Sequence, residues 1–175
     1  MNTIVWQNLD KKIREVAPFG FTLSLVILSV VPTRIPGYAE IAPVLPMMSI
    51  YHWAVYRPTL LPIWAVFILG CLYDFLSGMP LGLYTLVFLS VYGAVLSQRR
   101  FIIGKSFFVY WLGYTIIALG AAVESWLVAS LWHFSLLNVL AVTFQYVVSL
   151  GVFPIVAWLS LRLQQGLLIT ELDAS

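Results

Sequence analysis

Asp74, Ser77 and His133 are the side chains whose types would suit an acid–base–nucleophile set. Asp74 and Ser77 share the segment Asp74-Phe75-Leu76-Ser77-Gly78-Met79-Pro80-Leu81-Gly82, and His133 stands much later in the chain. Their settings argue against catalysis. No G-x-S-x-G elbow is present, and Ser77 opens a Ser-Gly-x-Pro turn, where serine is common for conformational reasons. His133 follows Trp132 at an expected helix end, the usual place of a wetted interfacial histidine. His52 falls near the opposite end of another apolar segment, a leaflet away from Asp74. There is no metal-ligand spacing, phosphate loop or dinucleotide fingerprint. The lone cysteine, Cys71, supports neither an internal disulfide nor a zinc cluster. The expectation is a non-enzyme with no catalytic residue, metal or cofactor.

Two acids nevertheless interrupt apolar segments. An ionised side chain at a helix centre costs roughly 2.5–3.5 kcal/mol on insertion scales, less near an interface, so each needs a reason. Asp74 lies near one end of its segment and is expected to clamp the turn by accepting hydrogen bonds from Ser77-Gly78, with Gly82 as a helix-packing contact. Glu124 is deeper. Gly113, Gly120 and Glu124 follow one another at steps of seven and four, which places them on one helix face. Asn138, Gln145 and Ser149 repeat the same steps in the next segment. Small residues let helices approach closely and polar ones orient them. These six residues are therefore expected to form packing or partner faces, the second stripe meeting Glu124 or a helix of another protein.

The elements that carry these residues are membrane spans. Of 175 residues, 62% are hydrophobic and 9% charged, with mean hydropathy +0.98. Soluble domains carry about 25% charged residues, so the chain reads as an all-α integral membrane protein. A span needs about 20 mostly apolar residues. Segments over about 17–31, 41–56, 60–76, 80–97, 107–132 and 136–161 meet or approach that, giving a single domain over 1–175 built as a six-transmembrane-helix bundle. The second is short and carries Pro43 and Pro46, so its first turn is expected to be irregular. Arg57-Pro58 ends it. Gln98, Arg99, Arg100 and Lys105 mark a loop, and a short polar tail closes the chain.

With both termini cytoplasmic, Lys11, Lys12, Arg14, Arg57, Arg99, Arg100, Lys105 and Arg162 fall on one side and only Arg34 on the other. Eight of the nine basic residues thus obey the positive-inside rule. The net charge of +2 reflects that topology and implies no nucleic acid. Lys11, Lys12 and Arg14 ahead of an apolar run resemble a secretory signal, but no small-x-small site follows, so the run is expected to be a retained span. Trp53, Trp64, Trp111, Trp126, Trp132 and Trp158 lie in or near span ends, where interfacial tryptophans collect. No internal repeat and no polar stretch long enough for a water-soluble catalytic domain is present.

The order Trp53…Tyr56-Arg57-Pro58, a short apolar span, then Gly70-x-x-x-Asp74-x-x-Ser77-Gly78-x-Pro80-Leu81-Gly82 and a further span resembles the MreD family of bacterial rod shape-determining membrane proteins. The specific part covers about Trp53 to Leu86; elsewhere the hydropathy profile agrees. The resemblance implies that Arg57, Pro58, Asp74, Ser77, Gly78, Pro80, Leu81 and Gly82 are family-motif positions. It implies a non-catalytic component of the cell-elongation machinery in the bacterial inner membrane. Its partners would be a bitopic MreC-type protein, with the RodA glycosyltransferase, a class B penicillin-binding protein and actin-like MreB in one complex directing lateral peptidoglycan synthesis. The family is also similar in fold to six-helix substrate-binding components of vitamin transporters. The alternative expectation is therefore a small-molecule transporter subunit, whose site would use Glu124, Asp74 and the proline-broken second span.

Overall fold

The computed structural model describes residues 2–31, 42–134 and 138–172, with side chains from 16 to 166 within those stretches. The described residues form six helices and no strand: α1 (Asn2–Val30), α2 (Leu45–Tyr56), α3 (Ile63–Ser77), α4 (Leu83–Ile102), α5 (Phe107–His133) and α6 (Val139–Leu172). The expected loop over 32–40 with Arg34 and the first residues of the expected sixth span lie outside the described residues, as do the side chains of Lys11, Lys12 and Arg14.

The short helix α2 is the centre of the structure. Pro46 to Val55 are all buried, including Ser49, His52 and Trp53. A helix apolar around its whole circumference is suited to burial on every side. Around it α1, α3, α4, α5 and α6 pack as consecutive neighbours in an open arc, and α2 itself packs on α1, α4 and α6. Ser49 Oγ donates to Thr22 Oγ1 at 2.8 Å, and Thr22 Oγ1 donates to the Pro18 carbonyl at 2.8 Å, which pins α2 to α1. Each buried hydroxyl thereby avoids the cost of an unmade hydrogen bond.

Helix bounds follow local chemistry. α2 begins at Leu45, after an N-cap at Val44 and with Pro46 in its first turn, where the missing N–H is harmless. It therefore starts four residues later than the span expected from 41. Arg57 ends it, its N–H donating to the Trp53 carbonyl at 2.8 Å. Gln98, Arg99 and Arg100 are helical, in the last turns of α4, so the loop expected there is confined to the residues between Ile102 and Phe107. Two basic residues in a last turn complement the negative end of the helix. The expected polar tail is likewise mostly helix, since α6 continues to Leu172.

α5 and the 139–166 part of α6 are long and apolar enough to cross a membrane. Residues 16–30 of α1 and Ile63–Ser77 are shorter apolar helices. Large apolar side chains are exposed over much of the surface, among them Trp64, Phe101, Leu131, Trp132, Ile155 and Trp158. Trp53 departs from the interfacial expectation: it is wholly buried in α2.

Candidate functional site

The motif positions meet where α3 turns into α4. α3 ends on Gly78, whose φ of 68° is the left-handed conformation that closes helices and that only glycine adopts without strain. α4 begins on Gly82 at φ 102°. Glycine there has no side chain with which to cap the helix, so the free N–H groups of its first turn need acceptors from elsewhere. Asp74, one turn back from the end of α3, supplies them. Its Oδ2 accepts from Gly82 N (2.9 Å), Thr85 N (3.1 Å) and Thr85 Oγ1 (2.8 Å), and its Oδ1 accepts from Tyr84 N (2.8 Å). The Leu83 N–H donates to the Pro80 carbonyl at 3.1 Å, and the first in-helix bond runs from Leu86 N to Gly82 O. Every N–H of that helix start is thus satisfied, and a carboxylate stands at the positive end of the helix. Asp74 is 0% exposed, and these four bonds are what make a buried carboxylate tolerable.

The Asp74 clamp differs from the expected one. The carboxylate caps α4 rather than bonding the Ser77-Gly78 turn. Ser77 Oγ instead donates to the Tyr73 carbonyl at 2.6 Å, its own helix one turn back. Gly82 is no packing contact: a Cβ added there meets nothing within 4 Å, and its positive φ is what requires glycine. The close approach falls at Gly70, where an added Cβ would lie 2.6 Å from Thr85 Cα. Gly70 and Asp74 are one turn apart on one face of α3, so the same Thr85 meets both. Tyr73, Tyr84 and Phe88 fill the space behind, Tyr73 lying edge-on to Tyr84 at 4.7 Å between centroids. At the other end of the motif, Arg57 ends α2, and the Pro58 carbonyl accepts from Tyr92 Oη of α4 at 3.3 Å. Leu81 projects outward, 71% exposed.

The residues of the conceivable catalytic set are otherwise engaged. His133 Nδ1 pairs with the Ala129 carbonyl at 2.9 Å, Ser77 with Tyr73, and Asp74 with α4. Ser77 Oγ also reaches Asp74, at its main-chain carbonyl (3.4 Å) rather than its carboxylate, and among the described residues no cluster of His, Cys, Asp and Glu could hold a metal.

The paired helix faces separate. At Gly113 an added Cβ would lie 2.8 Å from Tyr51 Oη and 3.1 Å from Ile102, so this glycine lets α5 close on α2 and α4. Gly120 has open space beside it. Glu124 is half-buried and does not reach the α6 stripe; its Oε1 accepts from Ser90 Oγ of α4 at 2.8 Å. The stripe itself is used internally. Asn138 Oδ1 accepts from Leu140 N at 3.0 Å at the start of α6, and Gln145 Nε2 donates to the Ala42 carbonyl at 2.9 Å. Ser149 is buried and, with Gln145, Tyr84 and Ser125, lines a cavity of about 20 Å³ between α2, α4, α5 and α6. That is room for about one water, against roughly 300 Å³ or more for a small-molecule site.

One buried polar group went unrecognised in the sequence. His52 bonds through Nδ1 to Tyr110 Oη at 3.0 Å and through Nε2 to Gln164 Oε1 at 3.2 Å, while Tyr51 Oη donates to the Tyr110 carbonyl at 2.9 Å. A neutral imidazole, with one nitrogen donating and one accepting, satisfies both partners. The set ties α2 to α5 and α6. Its only sequence signal is that histidine, tyrosine and glutamine stand in otherwise apolar helices, and the partners are 58 and 112 residues apart.

Compared with protein families, residues 10–164 match the family described as rod shape-determining protein MreD. The chain belongs to the MreD family. The match covers four helices whole and most of α1 and α6, and includes every motif position on the α3–α4 hairpin. MreD is a family of membrane proteins that determine rod shape, which gives the exposed apolar surface and the membrane-length helices their setting. Comparison with curated proteins and with solved structures returned no match.

Proposed function

We propose that this MreD-family chain is a non-catalytic scaffold of the bacterial cell-elongation machinery. It crosses the inner membrane six times with both termini in the cytoplasm and binds a bitopic MreC-type protein. Through that complex it works with RodA, a class B penicillin-binding protein and MreB in lateral peptidoglycan synthesis. The orientation rests on the basic residues, eight of nine of which then face the cytoplasm.

The observation that carries the non-catalytic reading is the state of the motif acid. Both oxygens of Asp74 are engaged by the start of α4, and the group is 0% exposed, which commits it to the hairpin. A shape-determining family whose motif builds a hairpin has a use for rigid helices rather than for chemistry. The transporter alternative drew on Glu124, Asp74 and the proline-broken start of the second span; of these, Asp74 is accounted for by internal bonds and Pro46 by its place in the first turn of α2.

The test is depletion of the chain in a rod-shaped host, together with purification of the tagged protein from membranes. Loss of rod shape with recovery of the MreC-type protein is expected. Normal rods together with a preparation free of that partner would end the proposal.

A further inference from the structure

Glu124 contrasts with Asp74, the other acid within an apolar helix. It lies nine residues, about 14 Å of helix, before the end of α5. Yet it is half-exposed, and its one hydrogen bond within the described residues comes from Ser90, itself exposed. One carboxylate oxygen is therefore without a donor among the described residues, on a surface where apolar side chains stand beside the serine. Leu86 of α4 and Ile116, Val123 and Leu127 of α5 are all exposed around it. A carboxylate facing hydrocarbon with a free oxygen is among the costliest surface features a membrane protein can present.

The Ser90–Glu124 bond also fixes what lies beside the acid. α4 and α5 run antiparallel, so residues after Ser90 on α4 and before Glu124 on α5 lie to the same side of that bond. On α4 these are Gly93 and Ser97, both exposed and on the Ser90 face; on α5 it is Gly120, also exposed. Among the described residues, a Cβ built on Gly93 or Gly120 meets nothing within 4 Å. Neither glycine is explained by the packing of the chain itself, whereas Gly70 and Gly113 are.

We propose that this groove between α4 and α5 docks one transmembrane helix of another protein, which sets a hydrogen-bond donor on the free Glu124 oxygen. The proposal rests on the scaffold reading above and specifies where the bitopic partner binds. Charge complementarity selects the occupant. A second copy packed about a two-fold axis on this face would bring two Glu124 carboxylates together. A lipid tail offers no donor, while a helix with an amide, hydroxyl or cationic side chain at this depth supplies one. The exposed glycines let its backbone approach closely.

The experiment co-expresses the full-length chain with its MreC-type partner, purifies the complex from membranes, and measures partner retained per chain and the thermal midpoint. Gly93→Leu adds bulk to the groove at a position where a Cβ meets nothing within 4 Å among the described residues, and leaves Glu124 itself unchanged. Glu124→Leu removes the acceptor, and Phe144→Ala on the exposed face of α6 is the control. Gly93→Leu and Glu124→Leu are each expected to reduce retained partner at least tenfold, with Gly93→Leu leaving the midpoint unchanged and Phe144→Ala keeping the partner. A Gly120→Cys chain is expected to crosslink to a cysteine placed in the partner's membrane helix. Wild-type retention by Gly93→Leu, or crosslinking of Gly120→Cys only to a second copy, overturns the groove while the scaffold reading stands. Absence of the partner from the wild-type preparation overturns both.

Discussion

The two acids set inside apolar helices, Asp74 and Glu124, have opposite surroundings. Asp74 is wholly buried and takes four hydrogen bonds, three of them from backbone N–H groups of one helix start. Glu124 is half-exposed and takes one, from a side chain. The glycines beside them differ in the same sense: Gly70 is pressed against Thr85, while Gly120 faces open space. A charge in a bilayer is tolerated when donors surround it. At Asp74 the chain supplies them all, so the group belongs to the fold. At Glu124 it supplies one, so the group is left available to something outside the chain.

Removing the acid of the closed site tests that contrast most severely. Asp74→Ala takes the acceptor from three backbone N–H groups, those of Tyr84 and Thr85 buried and that of Gly82 at the exposed turn, and leaves the Thr85 hydroxyl only the weak Cys71 Sγ contact at 3.6 Å. Each unsatisfied group costs about 1–3 kcal/mol, so a loss of at least about 3 kcal/mol is expected. Unfolding of the purified protein in detergent measures it, and a loss below 1 kcal/mol would show that water reaches the hairpin.

Next in size is Gly70→Ala. Its Cβ would fall 2.6 Å from the Thr85 backbone, which must move, at a cost of about 1–3 kcal/mol. Because Thr85 also bonds Asp74, this change and Asp74→Ala are expected to be non-additive in a double-mutant cycle. Additive losses would separate packing from capping. Gly82→Ala meets no neighbour and is expected to cost only the strain of a positive φ, about 1 kcal/mol. A larger loss would mean that Gly82 packs after all.

The smallest expected change in stability comes from the open site. Glu124→Leu breaks one side-chain bond of a kind that averages about 0.6 kcal/mol in membranes, and removes a half-buried carboxylate. The midpoint of the isolated chain is expected to move little or upward, while retention of the partner falls. A loss as large as that of Asp74→Ala would erase the distinction between the two acids.

Much of this was legible in the residues themselves. The helical class, the turn at Ser77-Gly78-Met79-Pro80 and the irregular entry to the second span at its prolines follow from local chemistry, since glycine and proline act on their own φ angles, although α2 starts at Leu45 rather than at the expected 41. The hairpin also carries the family resemblance, and the family match over 10–164 agrees with it. What Asp74 bonds was not legible, because its partners lie eight to eleven residues away across a turn whose geometry decides which N–H groups face it. Nor was the division of the Gly113–Gly120–Glu124 face. Periodicity places residues on a common side of a helix but does not say which neighbour, if any, covers that side.

By itself the sequence determined that the chain is helical and apolar, and that a glycine–proline turn joins two of its helices. These are properties of residue type and spacing, which act over one or two helical turns. Only the tertiary structure decided that the short second helix is the core, that His52 links three helices, and that Asp74 caps α4. It also decided that Glu124 is left open. The reason is that burial and hydrogen-bond satisfaction depend on which surfaces meet, and two acids of the same chemistry take different roles when one meets a helix start and the other meets none.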